Sequence, residues 1–168
     1  ALLDVRALMD NGEELALLNT HLSAFSNNDG TLFKQVGEID RHLMALESAG
    51  VAWVLGGDFN ALPPGHDHKR LVEKGASYGP ETPMAKLYER YTPIWTERMV
   101  RDAPKAIRTY LPFGASEPDR TIDYGFVGRE VTLLGAEVIQ ERDISDHLPF
   151  VIRISFEPPT SEPVAEEP

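Results

Sequence analysis

Residues 55–65, LGGDFNALPPG, place two polar side chains directly after an apolar run. Asp58 and Asn60 are two residues apart, so on an extended backbone both point to one side while Phe59 points to the other. The two glycines let the backbone turn sharply and approach a ligand closely. A carboxylate can orient or deprotonate a water, and an amide can donate a hydrogen bond to developing negative charge. The alternative is an ordinary surface turn, because Gly, Asp and Asn all favour turns.

Two other strand ends carry polar pairs. Asp146 and His147 in ISDHLPF directly precede an apolar strand, and from a loop a carboxylate and an imidazole can reach one metal–phosphate centre. A polar loop cap is the alternative interpretation of that pair. Asn19 and His21 in LLNTHLS end another strand and point to one side of it.

Asp123 lies in the otherwise apolar segment RTIDYGFV. A buried carboxylate is costly unless it is paired, so we expect a fixed partner, either a histidine that needs orienting or, as a structural alternative, Arg120. Trp95, Tyr91 and Phe113 could line a substrate wall or pack in the core.

The elements that must position these residues form an α/β pattern. Alternating apolar residues on both sides of DNG predict a β-hairpin. Apolar residues at helical spacing from Leu32 to Leu46 then predict a one-sided helix that ends near Gly50, followed by the buried strand VAWVL. Short helices are predicted over 68–75 and 83–91, and strands over 106–111, 121–127, 131–139 and 150–156. We expect one domain over 1–156 with a mixed sheet, and an acidic disordered tail over 157–168.

The composition of the chain restricts the classes of molecule that it can bind and the chemistry that it can perform. The chain has 168 residues and a net charge of −11, so its overall field repels nucleic acid and acidic membranes unless basic groups cluster or a cation intervenes. It has no cysteine, which excludes disulfides and thiolate chemistry. No apolar run reaches membrane-spanning length. The first residue is not methionine, and the sequence leaves localisation open.

Four motifs taken in order, LLNTHL, VLGGDFNALP, RTIDYGFV and SDHLPFVIRI, resemble the endonuclease/exonuclease/phosphatase superfamily of DNase-like, metal-dependent phosphodiesterases. The resemblance covers nearly the whole chain up to the tail. It implies a two-sheet α/β sandwich with mixed sheets and the active site at one end of the sheets, and it implies Mg²⁺ or Mn²⁺ as the cofactor.

The resemblance also implies roles for individual residues. Asp58 would activate or position the attacking water and help bind the metal, Asn60 would bind a phosphate oxygen, and Asp146 would hold the metal. His147 would contact the scissile phosphate while Asp123 orients its ring. His21 matches the other active-site histidine of the family.

Members of the superfamily have an N-terminal part that carries an Asn and a metal-binding Glu, and nothing ahead of ALLDVRALM supplies them. We therefore expect the chain to correspond to the C-terminal two-thirds of such a domain, to expose one flank of the core, and to be inactive by itself. The remaining part is then either another chain or a portion of the same protein that a truncation removed. The predicted function is metal-dependent phosphoester hydrolysis, with a small or lipid-derived substrate slightly favoured over nucleic acid. A non-specific nuclease and a catalytically inactive binding module are the alternatives.

Overall fold

The structure is a computed structural model that describes residues 1–24, 29–67, 69, 71 and 78–156. The first half contains β1 (Leu2–Leu8), β2 (Glu14–His21), α1 (Thr31–Ser48), β3 (Ala52–Asp58), α2 (Ala85–Arg90) and β4 (Thr92–Pro93). The second half contains α3 (Glu97–Asp102), a 3₁₀ turn (Pro104–Ile107), β5 (Asp123–Val127), β6 (Thr132–Val138) and β7 (Phe150–Ser155). The predicted short helix over 68–75 and the tail over 157–168 fall mostly or wholly outside the described residues.

In the part of the chain that the structure describes, seven strands form two sheets. A five-stranded sheet has the order β1-β2-β3-β5-β4, and β6 pairs with β7 in a second sheet. The strands β2 and β3 are parallel with α1 as the crossover, whereas β1 and β5 are antiparallel to their neighbours. The predicted mixed α/β sandwich, its hairpin and its crossover are confirmed.

The helix α1 covers one face of the larger sheet because its apolar residues repeat at helical spacing. Val36, Ile39, Leu43 and Leu46 are buried in one cluster with residues such as Trp53 from the sheet. The chain leaves the helix through Gly50, whose φ of 68° is the left-handed conformation that glycine adopts at helix ends. The helix predicted from Leu32 to Leu46 is therefore confirmed.

The second sheet packs on the other face, over β3 and β5. A Cβ on Gly125 would lie 2.5 Å from Ile152 Cδ1, so glycine is what lets the sheets meet there. Over β1 and β2 the same face is open: Leu3, Val5 and Leu17 are 59%, 48% and 43% exposed. One flank of the sandwich is thus uncovered in the described residues.

The structure decides two predictions about the middle of the chain, and the first of them is wrong. Residues 106–111 are not a strand: Pro104 begins a 3₁₀ turn, a position that suits proline because it lacks an N–H, and Tyr110 makes only isolated bridges, to Arg120 and to His147. For the aromatic residues, the core-packing alternative holds for Trp95 and Tyr91, which are buried in one cluster, whereas Phe113 is fully exposed, so the three line no common wall.

Among the described residues, none of the helices has the length and apolarity of a transmembrane span.

Candidate active site

Three neighbouring strands bring three polar residues to the same end of the larger sheet. The register of β2 and β3 places His21 beside Asp58, and the register of β3 and β5 places Asp58 beside Asp123. Paired residues on adjacent strands point to the same face, so these side chains form a row across the sheet. His21 Nε2 lies 3.4 Å from Asp58 Oδ2.

The fourth residue, His147, comes from the loop before β7. Its Nδ1 lies 3.0 Å from both carboxylate oxygens of Asp123, and because an ionised carboxylate can only accept, Nδ1–H is the donor. Nε2 then faces Asp58, 4.0 Å from its Oδ2. The partner predicted for Asp123 is therefore the histidine. Arg120 is not its partner, since it binds Asp119 through two hydrogen bonds of 2.7 and 2.9 Å.

Gly56, Gly57 and Asp58 of the sequence GGDFN are the last residues of β3, and Phe59 and Asn60 follow the strand directly. Gly57 has a φ of 147°, and a Cβ there would collide with the backbone oxygen of Thr20 on β2, so glycine is required for the strands to approach. Phe59 is fully buried while Asp58 and Asn60 stay on the other side, as their spacing predicts. Asn60 takes a φ of 49°, a left-handed conformation that asparagine tolerates better than most residues.

Asn60 is held tightly against Asp58. The backbone N–H of Asn60 donates to Asp58 Oδ1 at 2.8 Å, and its amide Nδ2 donates to Asp58 Oδ2 and to the carbonyl oxygen of Leu22, each at 3.1 Å. Both amide hydrogens are engaged in this arrangement. Asn60 can therefore donate to a phosphate oxygen only when one of these two amide bonds opens.

Asp146 lies apart from the other acids. Its side chain is exposed, with Ser145 Oγ at 3.4 Å, and its backbone oxygen accepts from the N–H of Leu111 at 2.7 Å. The structure places it beside His147 in the chain but not in the group of side chains that converge on Asp58.

The electrostatics of the site follow from burial and from its two carboxylates. Burial raises the pKa of Asp58, an effect that the Asn60 N–H opposes and the nearby Asp123 increases. The hydrogen bond to Asp123 raises the pKa of His147 above its ordinary value, against the opposing effect of burial. The site therefore favours a proton on the imidazole and penalises a second negative charge beside Asp123.

The side chains of the site could supply part of the coordination of a metal ion. Ligand atoms of Asp58, Asp123 and His147 all lie within 4.8 Å of one another, and two adjacent carboxylates at a half-buried site suit a hard divalent cation such as Mg²⁺. Asp123 is already committed to His147, which leaves Asp58 as the carboxylate best placed for a metal. Protein ligands beyond this group or bound waters would complete the coordination.

No sequence pattern points to the residues that fix Asp123. Its backbone N–H and that of Ile122 each donate to Thr109 Oγ1 at 3.2 Å, and its carbonyl oxygen accepts from Trp95 Nε1 at 3.1 Å. Thr109 lies in the segment predicted as a strand, and hydroxyl groups in strands are too common to indicate such a role.

Solved structures share this fold at low sequence identity. The catalytic domain of APE2 from Xenopus laevis has a TM-score of 0.62 at 17% identity, over 91% of this chain and 54% of that one. Humanized TDP2 from D. rerio has a TM-score of 0.59 at 16% identity, over 92% of this chain and 60% of that one. A mannosyl-6-phosphatase from Bacteroides thetaiotaomicron has a TM-score of 0.53 at 14% identity, over 87% and 53%.

The chain therefore spans between half and 60% of the length of these structures. No curated protein sequence matches it. The profile of the Endonuclease/Exonuclease/phosphatase family matches residues 17–147, a range that includes His21, Asp58, Asp123 and His147. The chain belongs to the Endonuclease/Exonuclease/phosphatase family.

Proposed function

We propose that this chain supplies the catalytic residues of a divalent-metal-dependent phosphoester hydrolase. Family membership supports phosphoester hydrolysis in general terms. The observation that carries the proposal is the row of His21, Asp58 and Asp123 on adjacent strands, closed by the His147–Asp123 hydrogen bond. Phosphoester hydrolysis needs a positioned water, charge neutralisation and donors for the transition state more than it needs covalent chemistry.

The proposal gives each side chain of the site a task in the reaction. Asp58 orients the attacking water and takes a proton from it, a task that its raised pKa favours. His147, held by Asp123, donates from Nε2 to an oxygen of the scissile phosphate, and His21 contacts the same group from β2. Asn60 binds a phosphate oxygen once its hydrogen bond to Asp58 Oδ2 is released.

Asp58 and Asp146 would hold the metal. When bound, Mg²⁺ or Mn²⁺ would neutralise the phosphate oxygens as a Lewis acid. Asp58 is already part of the converging group, whereas the exposed Asp146 has to turn toward it from the adjacent loop. Asp146 is therefore the more adjustable of the two proposed ligands.

We also propose that a further segment completes the domain. The resemblance implies an N-terminal part with an Asn and a metal-binding Glu, carried on the same protein or on a separate chain. The open face formed by Leu3, Val5 and Leu17 supports this proposal because it belongs to the strands that lead to His21. An element covering that face would reach the site from the β2 side.

For the substrate, we favour a small or lipid-derived phosphoester over nucleic acid. A net charge of −11 works against binding a polyanion. The alternative enzyme activity is that of a non-specific nuclease. The alternative without catalysis is an inactive binding module of the same fold.

The test is hydrolysis of bis-p-nitrophenyl phosphate, sphingomyelin and plasmid DNA with Mg²⁺ or Mn²⁺. It uses this chain and, in parallel, the longest natural protein that contains it. We expect hydrolysis of at least one substrate and its loss with EDTA. Asp58→Asn and His147→Ala should each lower turnover on the order of 10²-fold with the fold intact. If neither protein binds a divalent cation or hydrolyses any of these substrates, the binding module replaces the enzyme.

Asp146→Ala separates metal binding from catalysis. Because the proposed task of Asp146 is metal ligation, its loss should raise the Mg²⁺ concentration needed for half-maximal activity as well as lower the rate. A titration of activity with Mg²⁺ measures both effects, and Asp143→Ala in the same exposed loop is the matched control. An unchanged Mg²⁺ requirement in Asp146→Ala would remove Asp146 from the metal site.

A further inference from the structure

The ring of His147 needs more than Asp123 to hold it in place. Backbone hydrogen bonds of 2.7 Å on either side, from Leu111 N–H to the Asp146 oxygen and from Leu148 N–H to the Thr109 oxygen, fix the main chain of its loop. They do not fix the side-chain torsions. About a third of the side chain is exposed, so the protein does not enclose the ring on every side.

One aromatic side chain lies against that ring. The rings of Tyr110 and His147 have centroids 5.1 Å apart and planes at 70°, an edge-to-face arrangement that aromatic pairs favour. Tyr110 thus restricts the His147 ring to the orientation in which it hydrogen-bonds Asp123.

Tyr110 is itself fixed from behind by a buried cation. The guanidinium of Arg120 lies 4.9 Å from the centroid of the Tyr110 ring, within the range of a cation–π interaction. Arg120 is 1% exposed and its two hydrogen bonds to Asp119 determine the plane of the guanidinium. Tyr110 also bridges the backbones of Arg120 and His147.

We propose that Tyr110 is a positioning residue, whose ring, stacked on the guanidinium of Arg120, holds the His147 imidazole in the orientation that donates Nδ1–H to Asp123. The catalytic consequence rests on the proposed function, because it assumes that Nε2 of this ring acts on the phosphate. The hydroxyl of Tyr110 has no part in the proposal, since the ring makes both contacts.

The test compares Tyr110→Phe, which keeps the ring, with Tyr110→Leu, which removes it and keeps apolar bulk. Phe113→Leu, an exposed aromatic residue three positions away, is the matched control. In a hydrolysis assay we expect Tyr110→Leu to lower kcat about tenfold and to change KM less than about twofold, because a displaced group loses transition-state contact more than substrate binding. Tyr110→Phe and Phe113→Leu should retain the parent kcat.

A second readout does not depend on activity. The Nδ1–H proton of His147, bonded to Asp123, should give a slowly exchanging downfield NMR signal in the parent chain, in Tyr110→Phe and in Phe113→Leu, and should broaden or vanish in Tyr110→Leu. If neither this chain nor the longest natural protein that contains it hydrolyses a substrate, the proposed function fails while this signal still decides the positioning role. If Tyr110→Leu does not fold by circular dichroism, Tyr110→Met takes its place.

If Tyr110→Leu kept both the His147 Nδ1–H signal and the parent kcat, the proposal would be overturned. An equal loss in Tyr110→Phe would also overturn it, because the hydroxyl and not the ring would then be responsible.

Discussion

At the scale of single residues, the site depends on one charge-assisted hydrogen bond. Asp123 is buried at the first position of β5, and the imidazole of His147 is the group that satisfies it. Such a pair is worth more than a neutral hydrogen bond, and removing one member leaves the other without compensation. The two residues therefore stabilise the fold as well as the site.

Asp123→Asn should lower the pKa of His147 toward its ordinary value, because the hydrogen bond to Asp123 is the main cause of the increase. A histidine pKa raised by folding stabilises the protein fully below the ordinary value of 6.5, and that contribution is lost as the pH rises through the folded-state pKa. The substitution should thus cost about 1.5–3 kcal/mol of unfolding free energy at mildly acidic pH and less at alkaline pH.

NMR titration of the His147 ring in the metal-free chain, with urea unfolding at two pH values, measures both effects. Asp146→Asn is the matched control, since that exposed acid acts on His147 only through charge. A loss of unfolding free energy in Asp123→Asn that grows with rising pH would contradict the assignment of the raised His147 pKa to its hydrogen bond with Asp123.

At the scale of elements, the site exists because β2, β3 and β5 pair in one register. A slip of one residue between β2 and β3 would turn His21 and Asp58 to opposite faces. The register is protected by glycine: at Gly57 the backbone of β3 comes so close to Thr20 on β2 that no side chain fits. At Gly56, the preceding residue, a methyl group would meet only ordinary contacts, the nearest at 3.8 Å to Phe150 and Tyr124.

Gly57→Ala should lower the unfolding free energy by about 1–3 kcal/mol or more, because the methyl group adds a collision to a backbone conformation that alanine rarely adopts. Gly56→Ala should change it by less than about 1 kcal/mol, since its φ is ordinary and its surroundings leave room. Chemical denaturation of the two variants measures the difference. Equal stability of the two would mean that β2 and β3 can separate at Gly57 at little cost.

At the scale of the whole molecule, the two sheets are unequal. In the described residues, one sheet has five strands and the other has two. The two-stranded sheet covers the larger sheet at Gly125 and Gly56 but leaves Leu3, Val5 and Leu17 exposed. Contiguous exposed apolar surface of this kind marks an interaction site in soluble proteins. The net negative charge opposes self-association through that face by mutual repulsion.

Replacing Leu3, Val5 and Leu17 together by threonine should reduce binding of the dye ANS and leave stability nearly unchanged, because these side chains already contact water. Leu18→Thr is the matched control: it lies on the opposite, buried face of β2 and should cost about 2–4 kcal/mol. ANS fluorescence measures dye binding by the triple variant and by Leu18→Thr, and urea unfolding measures the stability of both. A large loss of stability in the triple variant would show that the open face contributes to the core.

The amino-acid sequence by itself determined most of the elements and some of the contacts in the candidate site. Helical and alternating spacing predicted α1, the hairpin and most of the strands, because those patterns are local. The spacing of Asp58 and Asn60 predicted their shared side, and the cost of a buried carboxylate predicted a fixed partner for Asp123.

Tertiary structure alone decided which partner that was and what surrounds it. Whether Asp123 meets His147 or Arg120 depends on how the 145–148 loop docks on residues 109–111, a contact between segments far apart in sequence that no local pattern encodes. For the same reason the strand predicted at 106–111 gave way to single bridges, and Tyr110 and Thr109 became neighbours of the site only once the chain was folded.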